Sequence, residues 1–139
     1  MDWDSEKEKR LTNVFYSFRQ RGNRIFREKN EFFYWYKKNE LNGCFYCGLT
    51  EKEQIKILKL ESIDSKRFYY NLNGTRGRYL EVDRKIPENR DYSSENCVLS
   101  CYFCNNDKSD VFDEKQYKEF IGGEPRNNIR FNYFMSLLE

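Results

Sequence analysis

The sequence has no histidine at any of its 139 positions, and no alanine either. Without histidine, the commonest general base at neutral pH and the commonest nitrogen ligand for metals are both excluded. No stretch approaches the roughly 18 consecutive apolar residues of a membrane span, so no membrane partner is expected. The start, Met1-Asp2-Trp3-Asp4, lacks the basic and apolar regions of a signal peptide, which leads to the expectation of an intracellular chain. There is no internal repeat, no low-complexity tract and no long linker.

What is present is aromatic and charged. Hydrophobic residues make up 38% of the chain and aromatics alone 18%, so a core can form without long aliphatic runs. The net charge of +2 conceals an asymmetry: residues 9–38 hold nine Lys or Arg against two Glu, and the remainder is net acidic. Such a segment is either the footprint of a nucleic-acid-binding face or a solvated helix surface.

Periodicity predicts mixed helix and strand, an α+β fold. Ser5 and Glu8 form a candidate capping box. Leu11, Val14, Phe15 and Phe18 then recur at helical spacing to about Gln20, with a break at Gly22. A second helix is predicted from about Ile25 to Lys38, its Phe26, Phe32, Phe33, Tyr34, Trp35 and Tyr36 reading as core rather than as a base-stacking platform. A polar stretch follows to about Leu60. Phe68–Asn71 and Arg78–Arg84 read as a strand pair around the turn residues Asn73-Gly74 and Gly77. Helices are predicted to open at the second cysteine pair, at Asp113 with Gln116 three residues on and Tyr117, Phe120 and Ile121 on the apolar face, and over Phe131–Leu138.

The sharpest motif is Cys44-Phe45-Tyr46-Cys47 with Cys101-Tyr102-Phe103-Cys104. In a reducing compartment, paired Cys-x-x-Cys knuckles argue for metal rather than disulfides. Four thiolates with no open position mark a structural zinc. Iron–sulfur ligation is the poorer fit, because nothing else in the chain reads as a redox domain. Cys97, in an apolar run, reads as a buried thiol outside the metal set. The knuckles lie 53 residues apart, longer than in a simple ribbon, so the interval must carry something more.

That interval ends in Leu80-Glu81-Val82-Asp83-Arg84, then Tyr92-Ser93-Ser94-Glu95-Asn96, then Cys104-Asn105 and Lys108-Ser109. The combination resembles the HNH, or ββα-metal (His-Me finger), endonucleases, with restriction-type and phage-type members nearest in pattern. The likeness runs from about Phe33 to Phe112. It implies a zinc-stapled nuclease domain at 41–123, preceded by a basic, aromatic-rich helical extension at 1–40 and followed by a helical tail at 124–139. It also implies magnesium- or manganese-assisted hydrolysis of phosphodiester bonds, DNA as partner, and a homodimer suited to a palindromic target.

The resemblance assigns roles residue by residue. Asp83 and Asn105 would bind the catalytic ion, with Glu81 as a further ligand on the same strand face. Asn96 would brace the loop, and Lys108 would contact a phosphate. Family members commonly carry histidine where this chain has Arg84, and often where it has Asn105. In a histidine-free variant, Arg84 clamps the phosphate and Tyr92 is the candidate base. Asp83 and Arg84 face opposite sides of a regular strand, so both reach one site only if the strand ends or bulges there. The competing reading is an inactive relative that binds nucleic acid or serves as a structural or interaction module.

Overall fold

The computed structural model describes residues 4–19, 24–60 and 77–139. The predicted strand at 68–71, the turn at Asn73-Gly74 and the break at Gly22 lie outside the described residues. Among those described, six helices surround one antiparallel strand pair.

Helix α1 spans Ser5–Phe18 and is capped by Asp4, one residue earlier than expected. The Asp4 carboxylate accepts from the Lys7 amide at 2.8 Å, satisfying one of the unpaired donors of the first turn. Leu11, Phe15 and Phe18 are buried. Helix α2, Lys29–Glu40, starts later than predicted. Its Phe32, Phe33 and Tyr36 enter the core as expected, while Tyr34 is 70% exposed.

Helix α3, Glu51–Leu58, lies within the polar stretch that runs to about Leu60, where no helix is expected. The cue was local: Thr50 accepts from the Glu53 amide at 3.2 Å and the Glu53 carboxylate accepts from the Thr50 amide at 3.0 Å, a reciprocal capping box. Its buried Gln54 donates to Gly77 O at 2.6 Å and accepts from the Tyr102 amide at 2.7 Å. One side chain thereby satisfies backbone groups of two distant segments.

Strands β1, Glu81–Arg84, and β2, Cys97–Ser100, pair in continuous register, with Glu81 opposite Ser100 and Arg84 opposite Cys97. Helix α4, Tyr102–Lys108, follows at once and is capped by the Cys101 sulfur. Helix α5, Glu114–Phe120, has the expected Asp113–Gln116 capping box. It buries Tyr117 but turns Phe120 outward, 62% exposed, where it stacks on Phe112 instead. Helix α6, Ile129–Leu138, buries Phe131 and Phe134.

A single hydrophobic cluster runs from Leu11 in α1 through the cysteines to Phe134 in α6. Aromatic pairs join its parts: Phe15 on Phe32, Phe18 on Tyr92, and Phe103 on Phe134. Helix α1 therefore packs on the same core as the strand pair. No helix among the described residues is long and apolar enough to cross a membrane.

Candidate functional site

Cys44, Cys47, Cys101 and Cys104 converge as expected. Their sulfurs all lie within 4.8 Å of one another, the Cys47 and Cys101 sulfurs are 3.7 Å apart, and all four residues are buried. Tetrahedral zinc with Zn–S bonds of about 2.3 Å sets sulfurs about 3.8 Å apart, so the spacing and the donor set both suit zinc. Burial alone raises the Cys44 thiol, but sulfur hydrogen bonds from Cys101, Cys104 and Cys47 outweigh it and hold Cys44 well below the ordinary thiol range. Burial pushes Cys101 and Cys104 up. Four crowded thiolates repel one another, and a cation among them removes that repulsion. Cys97 stays outside the cluster, where burial pushes its thiol up to about 12.

The knuckle backbones are held from outside. Cys47 O accepts from the Arg126 amide at 2.9 Å, Gly48 O from the Arg126 guanidinium at 2.9 Å, and Tyr46 O from the Asn128 side chain at 3.2 Å. None of these partners carried a signal in the sequence, since each acts across about 80 residues on a backbone carbonyl.

Strand β1 lies along α4 and meets it in two rungs. Residues i and i+2 share a strand face, and i and i+3 share a helix face; the packing sets Glu81 against Asn105 and Asp83 against Lys108. The outer rung is a hydrogen bond of 2.8 Å from the Asn105 amide nitrogen to Glu81. The inner rung is an ion pair of 3.2 Å between buried groups. The carboxylate nearest Asn105 is thus Glu81, and Asp83 lies one rung further in.

Asp83 is 8% exposed, and its Oδ2 also accepts from the Tyr46 hydroxyl at 2.7 Å. Burial raises its carboxyl above the usual range, and the Tyr46 hydrogen bond and the Lys108 charge offset only part of that. Lys108 is fully buried and donates to Arg84 O at 2.9 Å as well, so its ammonium is turned inward, away from any phosphate in solvent. Tyr46, sitting between two cysteines, gave no sign of this role in sequence.

With no bulge in β1, Arg84 faces away from Asp83, as strand geometry requires. Its guanidinium lies 5.4 Å from the Tyr92 ring centroid, with Asp110 3.7 Å away. Tyr92 stacks on Phe18 at 4.4 Å and is fixed by its amide to Arg24 O at 2.7 Å. Asn96 braces the β1–β2 loop, donating to Asn89 O and Asp91 O and accepting from the Ile86 amide.

Two recesses meet at Tyr92. One, of about 420 Å³, runs between α1 and β1 and is lined by Arg10, Asn13, Tyr79, Glu81, Tyr92 and Asn105, among others. The other, of about 490 Å³, is lined by Arg84, Pro87, Glu88, Arg90, Tyr92 and Asp110. Glu81, Asn105 and Tyr92 therefore share one cleft, Arg84 borders it through Tyr92, and Asp83 and Lys108 lie behind.

An antiparallel strand pair running straight into a helix, with four cysteines set around it, defines an HNH-like α+β fold. No family model and no curated protein matches the sequence. Among solved structures, the chain is similar to PacI, a rare-cutting HNH restriction endonuclease described as perturbing DNA. The TM-score is 0.61 at 25% identity, covering 81% of this chain and 71% of that one.

Proposed function

We propose that the chain is a metal-dependent endonuclease that hydrolyses phosphodiester bonds in DNA, working in the cleft between α1 and β1. The observation that carries this reading is the Glu81–Asn105 pair on the cleft wall beside Tyr92, set in a fold similar to an HNH restriction endonuclease. A carboxylate and an amide oxygen are hard donors of the kind magnesium or manganese takes, alongside water and substrate phosphate. Glu81 and Asn105 would hold that ion, which when bound supplies Lewis acidity toward a phosphoryl oxygen. The hydrogen bond from the Asn105 nitrogen fixes the amide and leaves its oxygen for the ion.

Around them, Arg84 offers a two-pronged donor to the phosphate, and Tyr92 is the candidate base. Asp83, whose Oδ2 is taken up by Tyr46 and Lys108, holds β1 against α4 and so keeps the outer rung in place. Asn96 holds the loop that presents Tyr92. A homodimer cutting a palindrome, as restriction-type enzymes do, is part of the same proposal.

Plasmid incubated with magnesium or manganese, with and without chelator, tests this reading. Wild type should cut only with the ion. Glu81→Gln and Asn105→Ala should each reduce cutting by at least a hundredfold while leaving the melting temperature within a few degrees. Full activity in Glu81→Gln alongside a stably folded, inactive Asp83→Asn would move the ligand role to Asp83. Wild type that retains DNA in a salt-sensitive way yet never cuts it would favour the second reading, a binding module, which the inward engagement of Asp83 and the lack of histidine support.

A further inference from the structure

The wall of the cleft facing Glu81 and Asn105 is built by α1. Arg10, Asn13, Val14 and Ser17 succeed one another at helical spacing and all line it, with Asn13 exposed and Arg10 half-exposed. This helix is not free to move away. Leu11 and Phe15 on its inner face are buried, Phe18 stacks on Tyr92, and Lys7 is tied to Glu40 and Glu51. Arg10 is therefore held over the cleft by a rigid element.

Among the described residues Arg10 has no carboxylate partner. Three other arginines near the site do: Arg24 pairs with Asp91 and Glu95, Arg78 with Glu6, and Arg84 with Asp110. An unpaired guanidinium on a half-enclosed wall, across from oxygen donors suited to a divalent ion, has the shape and charge to take an anion that arrives with the substrate. Its planar, two-pronged donation matches the geometry of a phosphate.

We infer that Arg10 binds a backbone phosphate of the nucleic acid next to the one that is cut, so that α1 forms the second wall of the substrate cleft. The inference rests on the nuclease reading for its ligand, and on the cleft geometry for its residue. Tyr92 then lies between two basic stations, Arg10 in one recess and Arg84 with Arg90 in the other, and the backbone passes across it.

The experiment measures binding of a short fluorescein-labelled DNA duplex by the full chain over a salt series with calcium, and cleavage with magnesium in parallel. Arg10→Ala should weaken binding about tenfold or more and lower the slope of log K against log salt by about one. Arg10→Lys should restore most of the slope and less of the affinity. Zinc content and melting temperature should match wild type in both. Lys52→Ala, removing an exposed charge on α3 outside the cleft, should change the slope far less. An unchanged slope in Arg10→Ala, an equal loss in Lys52→Ala, or a wild-type chain that binds no duplex would each overturn the inference. The nuclease reading fails separately: wild type that binds but does not cut refutes that reading, while a lowered slope in Arg10→Ala still supports Arg10.

Discussion

At the residue scale, the clearest energetic commitment outside the cleft is Lys7. It is 7% exposed, and its ammonium contacts Glu40 at 2.6 Å and Glu51 at 2.7 Å, with the Tyr36 and Tyr79 rings close by. Burying an ammonium is costly unless its hydrogen bonds are met, and here two carboxylates from α2 and α3 meet them. Glu51 in turn accepts from the Leu80 amide at 2.9 Å, so the same cluster fixes the approach to β1. Lys7→Met should destabilise the chain by about 3 kcal/mol, read by urea denaturation; a midpoint equal to wild type would refute the role. The pH dependence follows from the same contacts. Burial would lower the Lys7 pKa, but the hydrogen bonds to Glu40 and Glu51 outweigh it and raise it above the ordinary 10.5. A raised folded value means the contribution is fully present at neutral pH and is lost as pH climbs through that value. Wild type should therefore lose stability above about pH 10.5 more steeply than Lys7→Met does.

At the scale of elements, the first knuckle depends on the glycine that follows it. Gly48 has φ +88°, and an added Cβ would lie 2.6 Å from the Arg126 backbone nitrogen, where the chain crosses to cap Cys47. Gly48→Ala should cost about 2 kcal/mol or more and weaken zinc retention, measured by thermal melting and by competition with a chromogenic chelator. An alanine variant that melts with wild type would show that this crossing can relax. Some of these features could be read in advance. The knuckles, the apolar faces of α1 and α6 and the capping box of α5 are local patterns, and sequence displayed them. The capping box of α3 was equally local, but a short helix with few apolar residues hides among polar neighbours. The two rungs between β1 and α4 needed the register of one element on another. Spacing put Glu81, Asp83, Asn105 and Lys108 on facing surfaces, yet only packing decides that Asn105 meets Glu81 and Lys108 meets Asp83. Tyr46, Arg126 and Asn128 act across long stretches of chain, beyond anything periodicity can report.

At the scale of the whole molecule, the cysteine cluster ties together two segments far apart along the chain. The knuckles are 53 residues apart, and β1 and β2 share only four residue pairs. The first knuckle is clasped by the 126–128 segment, and the second begins α4, which carries both rungs to β1. Tetrahedral binding by four thiolates in small modules is worth on the order of 10–16 kcal/mol of apparent free energy, comparable to the whole margin of about 5–15 kcal/mol of a typical domain. Native mass spectrometry should find one zinc per chain. Cys97→Ser should retain it, because that thiol lies outside the cluster, whereas Cys47→Ser should not. A zinc-selective chelator should abolish the cooperative melting transition, and re-added zinc should restore it. The cleft should follow the zinc, since Asn105 sits one residue beyond Cys104 and Asp83 is bonded to Tyr46 within the first knuckle. Helix α1 packs on the same core as the cysteines, so a chelated chain should lose cleavage and the Arg10-dependent part of its salt-sensitive DNA binding together. A metal-free chain that kept its melting transition and its cleavage would remove the zinc from any part in holding the site.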